Sequence, residues 1–378
     1  MSSATDRSRS TSASRGVAVP IEHVDVGAYT VPTDMPESDG TFEWTETTLV
    51  VVHVYAGGEC GLGFTYADTS TAVLIRDKLA PLLGGCDALG IAGRWRDMVH
   101  AIRNMGRPGI VSMAIAAVDI ALWDLKAKLW NEPLLTLLGA VRDGIPVYGS
   151  GGFTSYSEAQ LCEQLEGWAS NGVSRVKMKV GRDPAGDVAR VASARAAIGP
   201  DVELFVDANG AYGRKQALAM AEAYSGYGVS WFEEPVSSDD LDGLRLIRDR
   251  APAGLDITAG EYGYDLVYFR RMLDAGAVDV LQADATRCAG ITGFMRVAAL
   301  CEACALALSS HCAPSVHAHA ACAAAPVRHL EYFHDHVRIE QLLFEGVLTP
   351  RRGALYPDLS RPGLGLAFKH SDARRYEA

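Results

Sequence analysis

The hydrophobic pattern of the chain changes near residue 145. Before that point, Thr47–Tyr55 is a β-branched, apolar run stopped by Gly57-Gly58, which predicts a strand and a turn. Apolar positions at helical spacing over Ser70–Leu83, Gly93–Arg103 and Val111–Trp130 predict helices, the last closed by Pro133. This first part is therefore α+β. Between Tyr29 and Trp44 the polar stretch TVPTDMPESDG predicts a loop long enough to be functional. From Ile145 onward, short apolar runs each end in a polar residue or glycine and give way to amphipathic stretches such as Ala185–Ile198 and Arg214–Tyr224. Strand ends are predicted near Gly149, Lys179, Asp207, Glu233, Gly260, Asp284, His311 and Glu331. Eight such ends predict a closed parallel barrel, with chemistry at the C-terminal ends of its strands.

Successive strand side chains alternate faces, so Lys177 and Lys179 in VKMKVG point the same way. In a barrel interior the two ammonium groups would share a cavity. Like charges disfavour protonation, so the pair predicts a lysine of lowered pKa, a base near neutral pH. Asp207 in VDANG, Glu233 in WFEEP and Glu261 in AGEY end three consecutive strands, and their carboxylates can converge. Three hard oxygen donors without Cys or His suit Mg²⁺, with Mn²⁺ as the alternative ion. Asp284 and His311 end neighbouring strands, where the carboxylate would fix the imidazole tautomer and make its other nitrogen a better base. From Lys179 to Glu331 these residues recur every 20 to 28 positions, about one βα unit. Any one Asp or Glu after a strand is ordinarily a loop residue or helix cap; the shared register carries the reading. His317-x-His319 is expected in a helix or loop after the seventh strand rather than on zinc, because a third soft ligand at suitable spacing is missing.

Composition narrows the class. The 378 residues suffice for a large barrel and a smaller domain, and a net charge of −11 without a dense Lys/Arg run argues against a nucleic-acid partner. An acidic protein that takes an acidic substrate needs local cations, which the lysine pair and a metal supply. Eight scattered cysteines form no secreted-type framework and suit a reducing cytoplasm. Cys301 and Cys304, flanked by Ala and Leu, are expected on a buried helix face. The longest apolar run, Ile110–Trp123, is interrupted by Asp119 and too short to span a bilayer, so a soluble protein without membrane contact is expected. Residues 1–15, rich in Ser, Thr and Arg, are expected to form a disordered tail.

Taken in order, KMK, DANG, FEEP, AGE, DATRCAGIT and SSH resemble the enolase superfamily, mandelate racemase subgroup. The segment AIAAVDIALWDLK, residues 114–126, is similar to that family's capping-domain helix. The resemblance implies an α+β capping domain over residues 16–140, a modified TIM barrel of (β/α)7β type over 141–345, and a C-terminal segment, 346–378, returning to the cap. It implies Asp207, Glu233 and Glu261 as Mg²⁺ ligands, with Glu234 supporting the site. Lys179, with Lys177 beside it, and His311 with Asp284 would be opposing acid/base groups. Glu331 would hydrogen-bond the substrate carboxylate in its protonated form, with Lys177 also facing that charge. Asn209 would touch substrate or metal-bound water, and Arg287 is a further candidate contact.

The function this implies is Mg²⁺-dependent removal of the proton α to a carboxylate, as in dehydration of an acid sugar to a 2-keto-3-deoxy acid. Racemisation or epimerisation of a 2-hydroxy acid is the alternative within the class; a non-catalytic metal-binding barrel is the alternative outside it. A zinc hydrolase would need His ligands at early strand ends, and there are none. The partner is a small hydroxy-carboxylate, its distal end meeting the cap near Asp39, Glu43 and Trp44 and the stretch Gly61–Tyr66. A homo-oligomer is expected.

Overall fold

Three strands, β1 (Ile21–Ser38), β2 (Glu43–Ala56) and β3 (Glu59–Tyr66), form an antiparallel meander at the start of the computed structural model, which describes residues 18–378. The tail expected over residues 1–15 lies outside the described residues. Strand β2 is apolar on both faces because it serves two cores. Val50, Val52, Val54 and Ala56 pack into a cluster with the cap helices, while Leu49 and Val51 join the core that continues into the barrel.

The stretch Tyr29–Trp44, expected to be a loop, is instead the second half of β1, a tight turn, and the start of β2. Tyr29 pairs with Leu49 and Val31 with Thr47, with an irregularity between Pro32 and Glu37 before Glu37 meets Trp44. Polar side chains and prolines are what an edge strand tolerates, and β1 is an edge of its sheet. At the turn, Asp39 Oδ1 accepts hydrogen bonds from the Thr41 and Phe42 amides at 2.6 and 2.7 Å. Gly40 sits directly on the barrel rim, where a Cβ would come within 2.7 Å of the Val180 carbonyl oxygen and closer still to that of Ala208.

The predicted cap helices are present at Ser70–Leu83, with a π-helical stretch over Ile75–Leu79, at Ile91–Ala101 and at Ile110–Leu129. The last is almost wholly buried. Its Asp119 accepts from the Thr292 amide at 2.9 Å and hydroxyl at 2.7 Å, tying the cap to a barrel helix, Gly290–Ala303.

Eight parallel strands follow: β4 (Ile145–Gly151), β5 (Arg175–Lys179), β6 (Glu203–Asp207), β7 (Val229–Glu233), β8 (Asp256–Ala259), β9 (Val280–Ala283), β10 (Ala307–Ser310) and β11 (Val327–Phe333). Each pairs with the next, and β11 pairs with β4, which closes the barrel. Helices separate the strands, as the alternating pattern predicts. Residues after the helix His334–Leu343 run back along the molecule: Ala354–Leu355 pairs with β4, and the Ala378 amide donates to the Ala28 carbonyl of β1 at 3.1 Å.

Among the described residues, no helix is long and apolar enough to cross a membrane. All eight cysteines are free thiols; Cys301 is buried as expected, but Cys304 lies just beyond its helix and is exposed. His317 and His319 are buried in the helix Pro314–Ala323, where their ring nitrogens meet Cys312 O and Leu364 O at 2.7 and 3.2 Å.

Candidate active site

Strand alternation places two inward layers one above the other. The lower layer is apolar and aromatic, with Tyr148, Phe205 and Trp231 packed together. Two residues further along β6 and β7, the same faces carry Asp207 and Glu233, in register with Lys179 of β5. Glu261, Asp284 and His311 follow the ends of β8, β9 and β10, while Glu331 lies within β11. The predicted residues thus converge at one end of the barrel.

Asp207, Glu233 and Glu261 are fully or almost fully buried and each offers an oxygen within 4.8 Å of the others. Glu233 Oε1 and the buried Asn209 Oδ1 have no hydrogen-bond partner, and Glu261 Oε2 accepts no hydrogen bond although it faces the His311 ring at 3.3 Å. Buried carboxylate oxygens left unsatisfied are costly unless a cation meets them, so the donor set fits Mg²⁺. The remaining oxygens are held in place: Trp231 Nε1 donates to Glu233 Oε2 at 3.0 Å and the Asn209 amide to Asp207 Oδ1 at 2.9 Å. Burial, followed by the neighbouring Asp207, pushes the Glu233 carboxyl up to about 8. Glu234, beside it, is buried with Oε1 unpartnered, and burial followed by Glu261 and Asp207 drives its pKa well up.

The lysine pair departs from expectation. Burial favours neutral amines, but the carboxylates opposite outweigh both burial and mutual repulsion and hold both ammonium groups above their ordinary pKa. Lys179 Nζ lies 2.5 Å from Asp207 Oδ2. Lys177 Nζ is bound by Glu233 at 2.7 Å, Glu331 at 2.8 Å and Asp207 at 3.4 Å, over the Tyr148 ring. With no exposed surface, Lys177 lies beneath the cavity floor rather than on a substrate-contacting wall.

Glu331 is likewise corrected: it is a carboxylate, not a carboxylic acid. Burial alone would raise its pKa, yet Lys177 and His311 hold it well below the usual range. Ser150 Oγ donates to Oε1 at 2.6 Å and the Cys312 amide to Oε2 at 2.8 Å. Across the site, His311 Nδ1 meets Asp284 Oδ2 at 2.9 Å, and its Nε2 lies 3.3 Å from Glu261 Oε2. Asp284 is oriented in turn by the Thr286 amide and hydroxyl, both at 2.7 Å. Burial opposes charge on His311, but Glu261 and Asp284 outweigh it and raise the pKa.

Above these groups lies a cavity of roughly 530 Å³. Lys179, Asn209, Glu261, Arg287, His311 and Glu331 line its barrel side; Asp39, Phe42, Trp44, Glu46, Tyr66 and Asp68 line its cap side. Glu43 instead pairs with Arg182 at 2.9 Å. Sequence reading missed Tyr148, Ser150, Trp231, Thr286 and Cys312. Period-two alternation on β4 and β7 was the available signal for the first three; nothing local marks the others.

Residues 25–139 match the N-terminal domain model of mandelate racemase / muconate lactonizing enzyme, and residues 160–373 match the enolase C-terminal domain-like model. The chain belongs to the mandelate racemase / muconate lactonizing enzyme family of the enolase superfamily. It is 34% identical over 324 residues to the 3,6-anhydro-alpha-L-galactonate cycloisomerase of Streptomyces coelicolor, covering 84% of this chain and 88% of that one. It is 31% identical over 370 residues to the L-talarate/galactarate dehydratase of Salmonella typhimurium, covering 94% and 90%. A structure of that dehydratase with Mg and L-lyxarohydroxamate superposes with a TM-score of 0.89 at 28% identity, covering all (100%) of this chain and 97% of the other. A mandelate racemase/muconate lactonizing enzyme-like protein from Rubrobacter xylanophilus gives a TM-score of 0.93 at 55% identity, covering 95% and 100%. That dehydratase is liganded with Mg, and the three buried carboxylates here offer the oxygen donors that suit the same ion.

Proposed function

We propose that this protein dehydrates an acid sugar to its 2-keto-3-deoxy acid, with Asp207, Glu233 and Glu261 holding Mg²⁺. The observation that carries the reading is that Lys179 and the Asp284-bound His311 both line one cavity beside the three-carboxylate cluster. When bound, the ion polarises the substrate carboxylate and offsets the negative charge that builds on it. Buried Lys177 adds a fixed positive charge beneath the same point, held there by Glu233 and Glu331. Asp207 is what holds the proton on Lys179; with that carboxylate engaged by the ion, Lys179 would lose the proton and, as the neutral amine, take the α-proton. His311 is set up as an acid: Asp284 holds Nδ1 and favours the protonated ring, and Nε2 delivers a proton to the departing β-hydroxyl, which leaves as water. Ionised Glu331 fixes Lys177 and the Cys312 amide around the carboxylate end.

Keto-acid release from a panel of acid sugars tests this directly. Glu233→Gln should abolish release while the protein stays folded, and chelation should do the same reversibly. His311→Asn should still exchange the α-proton with deuterated water through Lys179 without forming keto acid; Lys179→Ala should do neither. Near-normal turnover after chelation, or full dehydration by both base variants, would overturn the assignment. Interconversion of epimers with no keto acid would move the protein to the racemase branch.

A further inference from the structure

The two walls of the cavity differ in charge. Every side chain that lines it from the cap is acidic, aromatic, small or hydroxyl-bearing, and none is Lys or Arg. Three are carboxylates. Asp39 commits Oδ1 to the Thr41 and Phe42 amides, Asp68 commits Oδ1 to the Ser70 amide, and the exposed Glu46 has no ion pair or side-chain hydrogen bond among the described residues. The barrel side holds the cations, and each already faces an acid. Lys179 sits on Asp207, and His311 lies between Asp284 and Glu261. Arg287 donates to the Glu261 carbonyl at 3.2 Å, lies 3.4 Å from its carboxylate and 3.8 Å from Asp284, and stacks over Tyr262. His336 adds no charge, since burial pushes its pKa down to about 3.

We infer that the substrate is an acid sugar with a single carboxylate, an aldonic rather than an aldaric acid. This rests on the dehydratase reading above, which puts the reacting carboxylate at the metal cluster. The barrel below is closed by Tyr148, Phe205 and Trp231, so the rest of the sugar extends toward the cap. A second carboxylate there would meet Asp39, Glu46 and Asp68 with no free cation to receive it, an arrangement that selects against it. Hydroxyl groups are donors, and these carboxylates accept from them. Phe42 and Trp44, near-parallel with centroids 6.1 Å apart, give the C–H face of the chain an apolar surface.

The test uses the full-length Mg²⁺-loaded protein and matched five- and six-carbon aldonates and aldarates, read as kcat/KM for keto-acid release and as α-proton exchange. The best aldonate should exceed the best aldarate by about tenfold or more, and any aldarate rate should rise more steeply with ionic strength, as screening weakens the repulsion. Glu46→Lys and Asp68→Asn should each shift the aldarate-to-aldonate ratio upward by several-fold, by raising kcat/KM for the aldarate and lowering it for the aldonate. An aldarate preferred by the parent protein, or a ratio that neither variant moves, overturns the inference and leaves dehydration standing. Absence of both turnover and exchange with either class overturns the dehydratase reading itself, and the inference with it.

Discussion

His311 depends on a carboxylate that is itself held by two donors from Thr286. Asp284→Asn keeps the shape but offers an amide where Nδ1 needs a fixed acceptor, so both tautomer and charge of the ring change. The expected result is a fall in kcat for dehydration on the order of 10²- to 10⁴-fold with α-proton exchange through Lys179 retained, checked by steady-state kinetics beside deuterium incorporation. Single residues were the least legible part of the sequence. That Lys177 and Lys179 share a face followed from alternation, and it holds. Their charge state did not follow, because the acids that set it arrive from β6, β7 and β11, at sequence separations no local pattern encodes. The proton on Glu331 was misjudged for the same reason: Ser150, Lys177 and the Cys312 amide meet it only once the barrel closes.

At the scale of elements, the barrel strands were readable because each couples a short apolar run to a polar end. Edge strand β1 was not. Its prolines and acids read as loop, and only pairing with β2 makes it a strand. The β1–β2 turn also fixes the cap against the catalytic end, since Gly40 packs on the carbonyls of Val180 and Ala208. Gly40→Val would meet backbone rather than a movable side chain, so the turn must shift and carry Asp39, Phe42 and Trp44 with it. A rise in KM of about tenfold or more is expected with the melting temperature of the barrel little changed, as measured by kinetics and thermal unfolding.

The molecule as a whole carries buried acids that lie outside the proposed chemistry. Burial, aided by Asp335, pushes Glu37 up to about 9, and burial pushes Glu340 up to about 8. Both are protonated when folded across a range in which the unfolded chain has released those protons, beginning near 4.5. The native state therefore binds more protons there, and the stability these groups contribute is complete below that point and declines as pH rises toward 8 or 9. Denaturant unfolding at pH 5 and pH 8 should show this loss, and Glu340→Gln should reduce it. A slope unchanged in the variant would place the dependence elsewhere.

Strand β2 gives the cap a property that matters to anyone wishing to retarget it. Its odd-numbered Leu49 and Val51 fill the barrel core while its even-numbered Val50, Val52 and Val54 fill the cap core. The cap is thus no detachable lid. A graft from a relative must preserve the parity of this strand and bring along the barrel surface that its odd positions fill; a shift of one residue would exchange the two sets and spoil both halves together.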